Sequence, residues 1–168
     1  MKSIISKSIF GLCILFASIS APAEESGLFS TPSLTPQTAL MAAQAALDKC
    51  RAEGFQAAVA VVDRAGVLQV LLRDRYAGAH TPETARGKAW TAASFRANTT
   101  ELARLTQAGE VQSGVRHVAG ALMIGGGVII ESAGSLVGAI GVSGAPGGDL
   151  DDLCANAGIE AIEDIIAF

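Results

Sequence analysis

The chain has 168 residues, of which 50% are hydrophobic but only 5% aromatic, and its formal charge is −4. An acidic chain with scattered Lys and Arg is a poor partner for nucleic acid or anionic lipid. Two histidines that are not spaced i, i+4 and cysteines without C-x-x-C spacing argue against structural zinc, and Asp149, Asp151 and Asp152 lack the alternating loop of a calcium site.

The first 23 residues read as a secretory signal peptide. Lys2 and Lys7 form a positive start, Ile9 to Ile19 is mostly apolar, and Ala21-Pro22-Ala23 supplies the small residues of a cleavage site. The apolar run is too short for a stable membrane anchor. Cleavage near Ala23 implies a periplasmic or secreted protein, and losing two lysines takes the formal charge from −4 to −6. Residues 24–33 are polar and aperiodic, so a flexible mature N-terminus is expected, followed by one domain over 34–168. Cys50 and Cys154 survive cleavage. An even pair in an oxidising compartment invites a disulfide, but both lie in expected helices with apolar neighbours, where buried free thiols are common, and spacing does not decide between them.

Thr35-Pro36 is a cap-then-proline start for a first helix running to about Glu53, with Gly54 as its stop. Its inner face is expected to be Leu40, Ala43, Leu47 and Cys50. Phe55 to Val62 and Val67 to Leu72 are apolar strands joined through Asp63-Arg64-Ala65-Gly66, which predicts an antiparallel hairpin. Arg73, Asp74 and Arg75 then read as a solvated loop.

Tyr76 to Phe95 gathers the residues best suited to chemistry. Thr81-Pro82 repeats the capping start, so a helix is expected from Pro82 to about Ala97, with the Thr81 hydroxyl accepting a backbone N–H. His80 stands just outside it, where the positive helix end disfavours protonation and keeps an imidazole available as base or ligand. Thr84, Lys88, Thr91 and Phe95 share one face of this helix. Asn98 to Gln107 predicts a short further helix, and a Gly-rich irregular stretch follows with the second histidine, His117.

Gly125-Gly126-Gly127 leads into a second hairpin, Val128 to Glu131 and Leu136 to Ser143. Three glycines permit close backbone approach and suggest the wall opposite His80. No Gly-Lys-Ser/Thr follows, so this is not a phosphate loop. A final helix is expected from Asp149 to about Ile166, with acidic residues in its first turn. Strand pairs separated by helices give an α+β domain with an antiparallel sheet of four or five strands.

The blocks L-T-P-Q-T-A-L (34–40), V-A-V-V-D-R-A-G (59–66), A-G-A-H-T-P-E-T-A-R-G-K-A-W-T-A-A-S-F (77–95), G-G-G-V-I-I (125–130) and G-A-I-G-V-S-G-A-P-G-G-D (138–149), in this order, resemble the GlcG/HbpS family of haem-binding-type domains. The resemblance implies a profilin-like sheet covered by helices and symmetric homo-oligomers, often octamers. Several members bind haem, as do similar domains fused to cobalamin adenosyltransferases.

Haem would need an axial donor and partners for its propionates. His80 is the candidate iron ligand and His117 an alternative. Tyr76 offers an oxygen or a hydrogen bond, Arg75, Arg86 or Lys88 the propionate partners, and Thr84 and Gly125, Gly126 and Gly127 complete the candidate cofactor site. A second reading is a cofactor-independent enzyme or small-molecule binder for a small acid or carbonyl compound. His80 would be its base, Lys88 its electrostatic stabiliser and the triple-glycine N–H groups its donors. No nucleophile signature such as G-x-S-x-G accompanies it. A third reading is a structural or accessory oligomer.

Overall fold

A computed structural model describes residues 27–167. The expected signal peptide lies outside the described residues. Helix α1 (Pro36–Ala52) starts as its sequence requires: the Thr35 hydroxyl accepts from the Thr38 N–H at 3.2 Å and Pro36 takes the first turn. It stops at Gly54, which adopts φ +84°, while Gly54 N–H donates to Arg51 O and Phe55 N–H to Cys50 O.

The buried face of α1 is Ala39, Ala42, Ala43, Ala46, Leu47 and Cys50, whereas Leu40 is 48% exposed. This corrects the expected face by a rotation of the helix. The cause is its neighbour, α4 (Gly148–Glu160), which presses so closely that a Cβ at Gly158 would lie 2.5 Å from Ala42 O. Alanines permit that approach and Leu40 does not, so the larger side chain turns outward.

Strands β1 (Ala58–Asp63) and β2 (Leu68–Arg73) form the first hairpin, and β3 (Gly127–Ser132) and β4 (Ser135–Ser143) the second. In the first loop Asp63 Oδ1 accepts from Ala65 N–H at 2.8 Å and Val67 N–H at 2.9 Å, with Gly66 at φ +81°. The two hairpins join through β1 and β4 into a four-stranded antiparallel sheet of order β2-β1-β4-β3.

Both central strands are buried on both faces. One face packs Val59, Val61, Ile140 and Val142 against α1 and α4. The other packs Ala58, Ala60, Val62 and Ala139 against α2 (Thr81–Phe95), which the short α3 (Thr99–Leu105) follows. Small residues on this second face let α2 sit directly on the sheet, and Gly141 is required because a Cβ there would strike Ala85 O. The result is an α+β domain with one helix layer on each side of the sheet.

Two further expectations are corrected, and one open question is answered. The final helix breaks at Ala161, and a separate turn α5 (Glu163–Ile166) follows. Ile162 at the break is fully buried, so core packing outweighs helix continuity. Asp74 is buried rather than solvated: Oδ1 accepts from Arg51 Nη2 at 2.6 Å and Nε at 2.8 Å, and Oδ2 from Ala57 N–H at 3.4 Å. Asp74 in turn raises the Arg51 guanidinium pKa. The cysteines, left open by spacing, form a disulfide. Cys50 on α1 and Cys154 on α4 have Cα atoms 5.4 Å apart, so the close helix pair brings them within bonding reach.

Candidate functional site

A groove of about 680 Å³ opens between the start of α2 and the Ser143–Gly148 turn that leads into α4. Tyr76, Gly78, His80, Thr81 and Thr84 form one side, and Gly144 to Gly148 the other. Phe55 and Ile124 contribute apolar surface, and Lys88 and Asp151 reach it from within the fold.

Helix α2 starts one residue earlier than expected. His80 is the N-cap residue and makes no side-chain cap bond. Thr81 lies inside the first turn and its Oγ1 donates to Gly78 O at 2.8 Å, beside Thr81 N–H to the same oxygen at 3.0 Å. The hydroxyl therefore closes the preceding turn rather than capping the helix. Thr84 Oγ1 donates to His80 O at 3.0 Å, so both threonines tie the loop to the helix.

His80 is exposed, and its imidazole has no hydrogen-bond partner among the described residues. The ring folds back over Gly78: a Cβ there would lie 2.7 Å from His80 Cε1 and 2.9 Å from Nδ1. Tyr76 is 80% exposed at the groove's edge.

Lys88 is only 2% exposed. Its Nζ donates to Asp151 Oδ2 at 2.7 Å and to Val142 O at 2.8 Å, while Asp151 Oδ1 accepts from Ala145 N–H at 3.0 Å. One carboxylate thus links α2, α4 and the turn forming the far wall. Burial pushes the Asp151 carboxyl pKa up, outweighing the lowering by Lys88 and the Ala145 N–H.

The triple glycine has a different place from the one its sequence suggests. Gly125, Gly126 and Gly127 are buried and do not line the groove, and Ile124 does. Gly126, at φ +108°, backs the ion pair: a Cβ there would lie 2.6 Å from Asp151 Cβ and 2.8 Å from Lys88 Nζ. Its N–H donates to Asp152 Oδ1 at 2.7 Å, and Gly127 N–H donates to Thr99 Oγ1 at 2.8 Å. These two N–H groups are therefore committed to the fold and are not the donors that the enzyme reading requires. Close approach did demand the glycines, but the approaching group is the protein's own buried pair.

The groove unites Tyr76, His80, Thr84 and Lys88. It does not include Arg75, Arg86 or His117. Arg86 is exposed and pairs with Glu83 at 2.9 Å. His117 ends a 3₁₀ turn (Ser113–His117) and borders a separate hollow with Thr106 and Arg116. Sequence reasoning missed Asp151 and the Gly144–Gly148 wall. The available signal was Lys88 on an Ala-rich helix face, because a lysine buried there requires an acidic partner.

The family model described as "Haem degrading protein HbpS-like" matches residues 34–160. The crystal structure of a double mutant of Streptomyces reticuli HbpS is similar at 39% identity and TM-score 0.76, over 87% of this chain and 98% of that one. A PduOC:heme complex is similar at 30% identity and TM-score 0.73, over 77% of this chain and 95% of that one. Klebsiella pneumoniae protein ORFY, at 24% identity and TM-score 0.79 over 83% of this chain and 97% of that one, shares the fold. No curated protein matches the chain. With a model match across the whole sheet and its covering helices, and close likeness to HbpS itself, the chain belongs to the HbpS-like family.

Proposed function

We propose that the groove beside His80 binds haem or a related tetrapyrrole, and that the protein serves haem sequestration or sensing outside the cytoplasm. The observation that carries this reading is an imidazole without a hydrogen-bond partner among the described residues, at the rim of a groove of about 680 Å³. That volume lies within the range of small-molecule and cofactor sites, roughly 300–1,000 Å³.

The residues present fit such a group in part. His80 supplies the donor chemistry for iron, and Phe55, Ile124 and Pro146 supply apolar contact for a macrocycle. Lys88 is neutralised by Asp151, and Arg75 and Arg86 stand outside the groove. Propionates would therefore meet the N-terminal end of α2 rather than that of α4, whose first turn carries Asp149 and Asp151. The haem complex of the PduOC relative supports the ligand class.

Export, with cleavage near Ala23, is supported by the buried Cys50–Cys154 disulfide, since such bonds persist in oxidising compartments. Self-association into a symmetric homo-oligomer is part of the same proposal, and light scattering on the purified mature protein measures it.

Haemin titration tests the ligand reading. A saturable Soret shift is expected, weakened or moved by His80→Ala. An unchanged spectrum overturns haem binding, and a shift indifferent to the substitution keeps haem while rejecting His80 as its ligand.

A further inference from the structure

A second hollow lies beyond the other end of α2, about 22 Å along the helix from His80. Its volume is about 230 Å³, and Arg64, Arg96, Glu131 and Ser135 border it together with Ile129 and Leu136. Arg64 is half-buried, and its Nη1 donates to Leu136 O at 3.3 Å, which holds the guanidinium at the hollow. Arg96 has no side-chain hydrogen bond or ion pair among the described residues. Glu131 borders the same space without pairing with either arginine.

The backbone fixes where Arg96 and the closing turn stand. Among the described residues the non-glycine positions with positive φ are Arg96 at 54° and Ala133 at 47°. Arg96 borders the hollow, and Ala133 precedes Gly134 in the turn that closes it. Arg96 is the left-handed cap that closes α2, its N–H donating to Ala92 O, and Ala133-Gly134 is the two-residue turn between β3 and β4. Glycine would serve both positions at lower cost, and at the first of them the chain carries a guanidinium.

We propose that this hollow binds a small oxyanion, a phosphate or a carboxylate, through Arg64 and Arg96 with the Ser135 hydroxyl as a further donor. Two guanidiniums suit such a ligand because each offers paired N–H donors matched to two oxygens. The size admits a small anion and is too small for a macrocycle. Glu131 is the counterweight: its like charge lowers affinity for any anion and keeps binding reversible. The site is separate from the groove at His80 and does not depend on what that groove binds.

Inorganic phosphate and acetate, titrated separately into the isotope-labelled mature protein, test the proposal by NMR. Saturable amide shifts at Arg96, Gly134 and Ser135 are expected. A response to phosphate alone assigns a phosphate site, and a response to both assigns one that accepts carboxylates. Arg96→Gly should weaken binding roughly tenfold while raising Tm, since glycine accepts the left-handed backbone. Glu131→Gln should tighten it. No saturable shift with either anion, or an Arg96→Gly protein that binds as the wild type does, overturns the proposal.

Discussion

Lys88 and Arg96 stand about two helical turns apart on α2, and their surroundings are opposite. Lys88 is buried, with Asp151 at 2.7 Å and the Val142 carbonyl at 2.8 Å, and Gly126 leaves just enough room behind it. Arg96 is exposed, unpaired among the described residues and carried on a left-handed backbone. A cation withdrawn from water must be compensated within the fold, so Lys88 serves the fold by holding the groove wall through Asp151 and Ala145. A cation left at the surface keeps its donors available, so Arg96 is free to meet a ligand.

The largest effect should come from breaking the buried partner set. Lys88→Ala leaves Asp151 buried and uncompensated and should cost about 3–5 kcal/mol, measured by denaturant unfolding. A Lys88→Met, Asp151→Leu double variant should recover much of that loss, because it removes both charges at similar volume. If the double variant is as unstable as the single one, the pair is held by geometry rather than by charge compensation.

The same pair has a pH signature of known sign. Asp151 has a raised pKa in the folded state, so the folded protein binds that proton more tightly than the unfolded chain does. Its contribution is present at low pH and is lost as pH rises from the ordinary Asp value of about 3.9 through the folded pKa. Subtracting the stability of Asp151→Asn from that of the wild type should give a difference that falls across this window and is flat above it.

At the other end of α2 the sign reverses. Arg96→Gly should stabilise by about 1 kcal/mol in thermal unfolding, since it relieves the left-handed strain and removes no partner. The smallest effect on stability is expected at the mouth of the groove. Gly78→Ala should change unfolding by less than about 0.5 kcal/mol, as exposed substitutions usually do. It should nevertheless displace the His80 ring, read as a moved His80 imidazole resonance and an altered haemin titration.

Much of the fold was legible because its signals are local. Thr35-Pro36, Gly54 and Asp63 to Gly66 act through their own backbone and the next few residues, so their elements appear where their chemistry places them. Long-range packing defeated the same logic elsewhere. Leu40 suits a helix core by periodicity, yet the approach of Gly158 to Ala42 rotates it outward. Asp74 looked like loop charge because Arg51, its partner, is on another element.

The candidate site divides along the same line. His80, Tyr76 and Thr84 were identified from their place at a helix start, and the groove contains all three. The triple glycine showed that something approaches its backbone closely, but a glycine carries no information about what approaches. His117 and Arg86 had suitable chemistry and lie outside the groove.

By itself the sequence determined the element types, the hairpins, the α+β class and the family, because these follow from capping chemistry, periodicity and ordered blocks. The tertiary structure alone decided that Lys88 faces Asp151, that Cys50 meets Cys154, and that Gly126 backs an ion pair. Each of those contacts joins residues far apart in the chain, and only the stacking of helices on both faces of the sheet brings them together.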